Sequence, residues 1–217
     1  MARYTGWGEA AVAQRQSQAW NSVLAEDGPS RVDVSNLTSA LEALAHSAST
    51  LVEVGCGAAY NTTVVTRTAP HLHYVGLDLS EASLALARHS LPATSLILSD
   101  SGTLALRAQS VDVVRDGAAL MHTPQWEASV RQQCRVARNA LILHTVTVCN
   151  FGPTTFLTKR AYGHVVPELV IARDALEDLI DSCGFTVVTT VNGLDYDLRH
   201  VIGRPTSSET WLCRRRQ

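Results

Sequence analysis

Leu51-Val-Glu-Val-Gly-Cys-Gly-Ala-Ala-Tyr60 is an apolar run carrying one acid, and it breaks into two glycines spaced by one residue. A short apolar run bounded by turn residues reads as a buried strand. Glycine after it lets the chain turn through positive φ and lets a ligand approach bare main chain. Acids close the next two strand-like runs: Asp78 ends His73-Tyr-Val-Gly-Leu-Asp78, and Asp100 ends Ser95-Leu-Ile-Leu-Ser-Asp100. Carboxylates at successive strand ends suit a ligand that is cationic and rich in hydroxyls and amines. A nicotinamide dinucleotide fits less well. Its fingerprint is G-x-G-x-x-G with an acid about twenty residues on. Asp78 meets the second half, but Gly55-Cys-Gly57-Ala-Ala-Tyr60 lacks the last glycine, and Glu53 and Asp100 would be left without a task.

Outward from this stretch, apolar runs at 50–54, 73–78, 94–99, 111–115 and 139–146 alternate with helical patterns near 61–69, 80–90 and 124–136. That alternation predicts βαβ units and a largely parallel sheet. The continuous Val, Leu and Ile content suits strands covered on both faces. Ser80 is an N-cap candidate, and Thr123 followed by Pro124 is a start signal for the third helix. Arg173 to Cys183 is a further helix stopped by Gly184, and Phe185 to Val191 and Glu209 to Arg214 supply two last strands. Upstream, Glu9 to Leu24 and Ser35 to Ser47 read as helices separated by a break at Glu26 to Ser30. The expected division is a helical cap, 1–48, ahead of a ligand-binding domain, 49–217.

With 217 residues, 46% of them hydrophobic, one sizeable core is affordable in a single medium domain. A formal net charge of −2 gives no electrostatic footprint for nucleic acid or an anionic membrane. The basic run Arg214 to Arg216 reads as a solvated tail. Five scattered cysteines without a CxxC pair argue for a reducing compartment and against structural zinc. Neither a signal peptide nor a membrane-spanning run is visible, so the expectation is a cytoplasmic protein without a membrane partner.

The glycine loop, the two downstream acids and Val111-Asp-Val-Val-Arg-Asp-Gly-Ala-Ala-Leu-Met-His122 together resemble the class I S-adenosylmethionine-dependent methyltransferases. The resemblance runs from about Leu51 to Val146 and more loosely to the C-terminus. It implies a Rossmann-like α/β fold, a mostly parallel seven-stranded sheet ordered 3-2-1-4-5-7-6, with helices on both faces and the last two strands a reversed hairpin. It implies S-adenosyl-L-methionine as cofactor, held outside the carboxyl ends of the strands. On that resemblance Gly55, Cys56 and Gly57 pass under the methionine and ribose, and Glu53 orients the loop. Asp78, with Leu79 beside it, takes the ribose hydroxyls. Asp100 and the Ser101 amide take the adenine, and Arg115, Asp116 and Gly117 open toward the sulfur. Cys56 fills space between the glycines. Relatives often carry a third glycine where Ala59 stands, so the loop is expected to differ slightly or Ala59 to keep a negative φ.

Methyl transfer from a sulfonium requires alignment and exclusion of water, and a hydroxyl acceptor also requires a base. His122 and His144 lie at the productive edge and are the candidates for that base, with a loop-organising or core role as the plainer alternative. His71 and His73 fall at the opposite edge as surface residues, and no metal site is expected. The stretch 148–167 is long for a connection and follows the fifth strand, so Lys159, Arg160, Tyr162 and His164 are acceptor-pocket candidates, the cations suiting an acidic group. Tyr4 and Trp7, ahead of the sheet, are candidates to cover the site.

The function expected is methylation of a small-molecule acceptor, at oxygen before nitrogen or carbon, with a homodimer left open. The alternatives are a protein or RNA methyltransferase, a non-catalytic cofactor-binding or scaffold module, and an NAD-dependent oxidoreductase.

Overall fold

The computed structural model describes residues 6–26, 30–44 and 46–217. Tyr4 and the middle of the break at 26–30 lie outside the described residues. Two helices, α1 (Ala10–Glu26) and α2 (Val32–Glu42), precede the alternating core. That core runs β1 (Thr50–Val54), α3 (Thr62–Thr68), β2 (His73–Asp78), α4 (Glu81–Ser90), β3 (Ser95–Leu98), β4 (Val111–Asp116), α5 (Trp126–Val136) and β5 (Ala137–Cys149). A 3-10 turn, Leu120–His122, lies between β4 and α5. The chain continues through β6 (Thr155–Ala161), β7 (His164–Ala172), α6 (Arg173–Ser182), β8 (Phe185–Asn192), α7 (Arg199–Ile202) and β9 (Ser207–Arg215).

Strands β3-β2-β1-β4-β5 are parallel neighbours. β9 then pairs antiparallel with β5, and β8 antiparallel with β9. With β9 as the seventh strand and β8 as the sixth, this is the expected order, closed by the expected reversed hairpin. Alternation along each strand supplies two cores. On β1, Val52 and Val54 face the layer that includes Trp126, Val130, Leu176, Phe185 and Trp211, whereas Leu51 faces Leu37, Leu41 and Val65. Burying each of these large side chains contributes roughly 1.5–3 kcal/mol. No helix among the described residues is long and apolar enough to cross a membrane.

The structure departs from the sequence expectation at 148–167. The sheet has nine strands, not seven, because this segment is not a loop. β5 extends to Cys149, and β6 and β7 form an antiparallel hairpin whose β7 end pairs with β5 through Val148–Ile171 and Cys149–Ala172. The hairpin turns on Tyr162 and Gly163, with φ of 52° and 82°. Positive φ at both positions matches the right-handed twist of the flanking strands. Tyr-Gly is a weak turn signal, and the alternation Thr155-Phe-Leu-Thr-Lys-Arg-Ala161 places its apolar residues Phe156 outward, 58% exposed, so neither cue announces a strand pair.

Helix ends follow the capping rules in part. Ser80 caps α4 by accepting from the Ser83 amide at 3.2 Å. Gly184, at φ 81°, ends α6 as expected. Thr123 does not start α5: its hydroxyl bonds back to the Ala119 carbonyl at 2.9 Å, and the helix begins at Trp126.

Candidate active site

Side chains from the carboxyl edge of the sheet, α1, α2 and the β6–β7 hairpin line an open cavity of about 310 Å³. Of the candidates named from sequence, Gly55, Cys56, Gly57, Asp78, Leu79, Ser101 and Gly117 line its inner wall. His122, His144, Trp7, Lys159 and Tyr162 line the remainder.

The glycines are required by close approach. A Cβ on Gly55 would stand 2.2 Å from the Ala119 Cβ, and one on Gly117 would stand 2.5 Å from the Gly55 carbonyl oxygen. The loops after β1 and β4 are therefore pressed together at their main chains, at φ 75° for Gly55 and 57° for Gly57. Asp78 ties this loop to β2: one carboxylate oxygen accepts from the Gly57 amide at 2.7 Å and the other from the Ser80 amide at 2.8 Å. Burial raises its pKa, with those two amides opposing the shift. Each oxygen keeps a second lone pair, so the carboxylate can still accept from a ligand. Cys56 packs against Gly76, where a Cβ would meet its sulfur at 2.8 Å. Burial, then Asp78 and Glu53, push its thiol well up, which leaves it inert.

Ala59 sits at φ 62°, so the loop keeps the left-handed turn that glycine would favour, and the expectation of a negative φ or an altered loop gives way. That geometry costs alanine about 1–2 kcal/mol. Glycine there would relieve the strain but lose about 0.8 kcal/mol of buried methyl and about 0.5–1 kcal/mol of chain entropy. Ala59→Gly should therefore leave the urea midpoint nearly unchanged, whereas Ala59→Val, β-branched and buried, should lower it clearly.

Four of the cofactor-contact candidates, Glu53, Arg115, Asp116 and Asp100, do not line the cavity. Glu53 is paired with Arg115, its neighbour across β1 and β4, and accepts from the Tyr74 hydroxyl at 2.8 Å. Arg115 is fully buried and points with Glu53 into the interior rather than toward a sulfur. Asp116 accepts from the Ala119 and Leu120 amides at 2.8 and 3.0 Å and from Gln133 at 3.0 Å, fixing the turn that carries His122. Burial, opposed by those donors, raises its pKa to about 6. Asp100 is exposed just outside the wall, between Ser99 and Ser101, and accepts from the Gly102 amide at 2.7 Å. Arg160 and His164 do not reach the cavity either. The strand period turns Arg160 to the face opposite Lys159, where it is exposed, and His164 pairs with Ala161 next to the hairpin turn.

His122 lines the cavity with Nδ1 2.9 Å from the Pro167 carbonyl oxygen. A carbonyl only accepts, so Nδ1 carries the proton and Nε2 keeps its lone pair. Burial and then Lys159 lower its pKa to about 3, against the Pro167 carbonyl, so the ring is neutral. The Trp7 ring lies over it at 4.6 Å between centroids. His144 is held with Nδ1 3.0 Å from the Thr210 hydroxyl, and burial, then Arg115, lower its pKa well below the usual value. A bulge in β5 turns it here: the register with β9 shifts between Leu143 and Val146, and Thr145 adopts φ 55°. A β-branched residue at positive φ is a strained position, and such bulges cluster beside active sites.

Sequence reasoning did not name Asp33, Tyr60, Glu168 or Tyr196 as site residues. Asp33 and Tyr60 line the cavity, and Tyr60 stacks at 6.0 Å on Trp20. Glu168 lies behind Lys159, 2.5 Å from its ammonium, and Tyr196 stands 3.2 Å from the same nitrogen. Pairing of β6 with β7 was the signal that would have found Glu168.

Residues 52–143 match the family model described as a methyltransferase domain. The trans-aconitate 2-methyltransferase of Variovorax paradoxus is 39% identical over 80 residues, 37% of this chain and 31% of that protein. The chain thus spans about a third of that relative's length (31%) in the matched region. A putative S-adenosylmethionine-dependent methyltransferase from Listeria monocytogenes superposes with a TM-score of 0.65 at 13% identity, over 84% of this chain and 99% of that one. The 1,6-didemethyltoxoflavin-N1-methyltransferase of Burkholderia thailandensis, solved with S-adenosylhomocysteine, superposes with a TM-score of 0.61 at 13% identity, over 96% and 88%. Domain match and fold agree with the order of the sheet and the loop that opens it: residues 52–143 are similar to a methyltransferase domain, and the chain has the fold of solved S-adenosylmethionine-dependent methyltransferases.

Proposed function

We propose that the protein methylates a small-molecule acceptor at oxygen, with His122 taking the acceptor proton. The observation that carries this reading is the tautomer of His122, whose Nδ1 is committed to the Pro167 carbonyl while Nε2 remains a base in the cavity wall. His144 is the alternative base, and its bond to Thr210 makes it the less free of the two.

The residues present fit S-adenosylmethionine. Gly55 and Gly57 leave a side-chain-free loop, Asp78 retains acceptor capacity for ribose hydroxyls, and Ser101 with the neighbouring Asp100 stands where adenine would be met. The cofactor supplies an activated methyl group on a sulfonium. The chain's own part is to align the acceptor, exclude water and accept one proton. We take the described residues of 1–48 as a cap over this site, because Trp7 and Trp20 line one wall and Arg15 ties α1 to the Tyr162 carbonyl at 3.0 Å. The cavity's volume of about 310 Å³ and the formal charge of −2 favour a small acceptor over protein or RNA. Five unpaired cysteines support a reducing, cytosolic setting.

The test is single-turnover methyl transfer from labelled donor into a metabolite extract, then kinetics on the acceptor found. His122→Ala should lower turnover at saturating donor by roughly 10², the low end for general bases because a weakly basic imidazole gains little per proton taken. With its pKa pushed down to about 3, wild-type His122 stays neutral as pH falls from 7 to 5, so turnover should not drop through the ordinary histidine range. An unchanged rate in His122→Ala would instead mark an amine acceptor, which brings its own lone pair.

A further inference from the structure

We infer that the acceptor is an uncharged, ring-bearing molecule, and that the Lys159–Glu168 pair is what turns anionic acceptors away. This rests on the methyl-transfer reading above.

Lys159 is the only lysine or arginine lining the cavity among the described residues. Its charge is not available to a ligand. Glu168, two residues beyond Lys159's partner Val166 on β7, shares its face of the hairpin and is 2% exposed. Its Oε2 lies 2.5 Å from the ammonium. The Tyr196 hydroxyl takes a second proton at 3.2 Å, with the ring 5.4 Å away. Burial pulls the ammonium's pKa down, but Glu168 and Tyr196 outweigh it and hold Lys159 charged, so the pair is neutral as a unit. Arg160 is turned to the other face of β6, and Arg15 is bonded to the Tyr162 carbonyl. The remaining charged side chains of the lining are Asp78 and Asp33, the latter held by Arg31 at 2.9 and 3.0 Å.

An acceptor carboxylate would therefore leave water for a site with one acid, Asp78, that has no cationic partner among the described residues, an Asp33 already matched by Arg31, neutral histidines and a lysine already matched. Burying an unpaired charge is costly, and an added mismatch of this kind is how sites discriminate. A flat ring meets the opposite situation. Trp7 stands 4.6 Å from His122 and 6.1 Å from Tyr162, centroid to centroid, forming an aromatic corner beside the proposed base. Ring against ring adds stacking to apolar burial.

The experiment is calorimetry on the full chain at pH 7, first with S-adenosylhomocysteine alone. If that does not bind, the methyl-transfer reading fails before this one is reached. With it saturating, three probes are titrated: 2-naphthol, 2-naphthoate and 1-decanol. The naphthol should bind at least about tenfold tighter than the naphthoate, which has the same rings, and clearly tighter than the ringless alcohol. Glu168→Gln, isosteric and judged folded by retained S-adenosylhomocysteine binding, should free Lys159 and shift the naphthol-to-naphthoate ratio toward the acid by about tenfold. Equal or tighter binding of naphthoate by the wild type overturns the proposal, as does failure of all three probes. Decanol matching naphthol overturns its ring half. The wild-type ratio decides even if Glu168→Gln does not fold, and an unmoved ratio in a folded Glu168→Gln removes the pair as its cause.

Discussion

Asp78→Ala should weaken S-adenosylhomocysteine binding by on the order of 10³, with the fold retained. A carboxylate that accepts from two ribose hydroxyls makes charge-assisted bonds, each contributing about 1.5–3 kcal/mol, and about 4 kcal/mol in total corresponds to that factor. The alanine variant also releases the Gly57 and Ser80 amides, held at 2.7 and 2.8 Å. Both residues are buried, Ser80 at 3% exposure, so stranding their amides should also lower the melting temperature in the absence of ligand. Asp78→Asn separates the two tasks. Its amide oxygen can still serve one backbone donor, but it lacks the charge, so affinity should fall nearly as far while the loop stays in place. Calorimetry of both variants against wild type measures this. Affinity within a few-fold of wild type in both would remove Asp78 from the ribose and with it the proposed orientation of the cofactor.

β1, β4 and β5 were legible in the sequence because strands buried on both faces write themselves as unbroken apolar runs. β3 carries the same kind of run at the sheet edge, with Ile97 and Leu98 exposed. The stretches expected at 50–54 and 73–78 are β1 and β2 to the residue. Chain order alone also carries the glycine loop and Asp78 to one edge. What could not be read was the depth of side chains within that edge. Glu53 and Asp78 are both acids near strand ends and share a strand parity, but Glu53 pairs with Gly76, so Asp78 stands two residues nearer the rim. Arg115 looked like a cofactor contact for the same reason, and only its pairing register with Glu53 shows that it is spoken for. The hairpin of β6 and β7 was hidden because it is half-exposed and amphipathic in the wrong sense, with Phe156 outward and Lys159 inward. Its partner Glu168 was unreadable without that pairing.

Arg115→Met should destabilise the fold by about 3–5 kcal/mol, because it strands the Glu53 carboxylate in the interior. Both side chains are essentially inaccessible, at 0% and 1% exposure, and the Tyr74 hydroxyl at 2.8 Å is the acceptor's one remaining partner. The double variant Glu53→Gln/Arg115→Met should recover most of the loss, since a neutral amide and an apolar chain of similar volume remove the desolvation penalty along with the attraction. Urea unfolding of the two singles and the double gives the coupling directly. The same pair bears on the cavity only through packing. A Cβ on Gly117 would come within 2.7 Å of Glu53 Oε1, so the pair sets how closely β4's exit approaches β1's. The double variant should accordingly bind S-adenosylhomocysteine within about tenfold of wild type, far closer than Asp78→Ala. If Arg115→Met alone proves as stable as wild type, the carboxylate is not ionised in the folded chain and the ion pair is not what joins β1 to β4. If instead the double variant loses cofactor affinity as completely as Asp78→Ala, Glu53 touches the ligand after all and belongs with the acids at the rim.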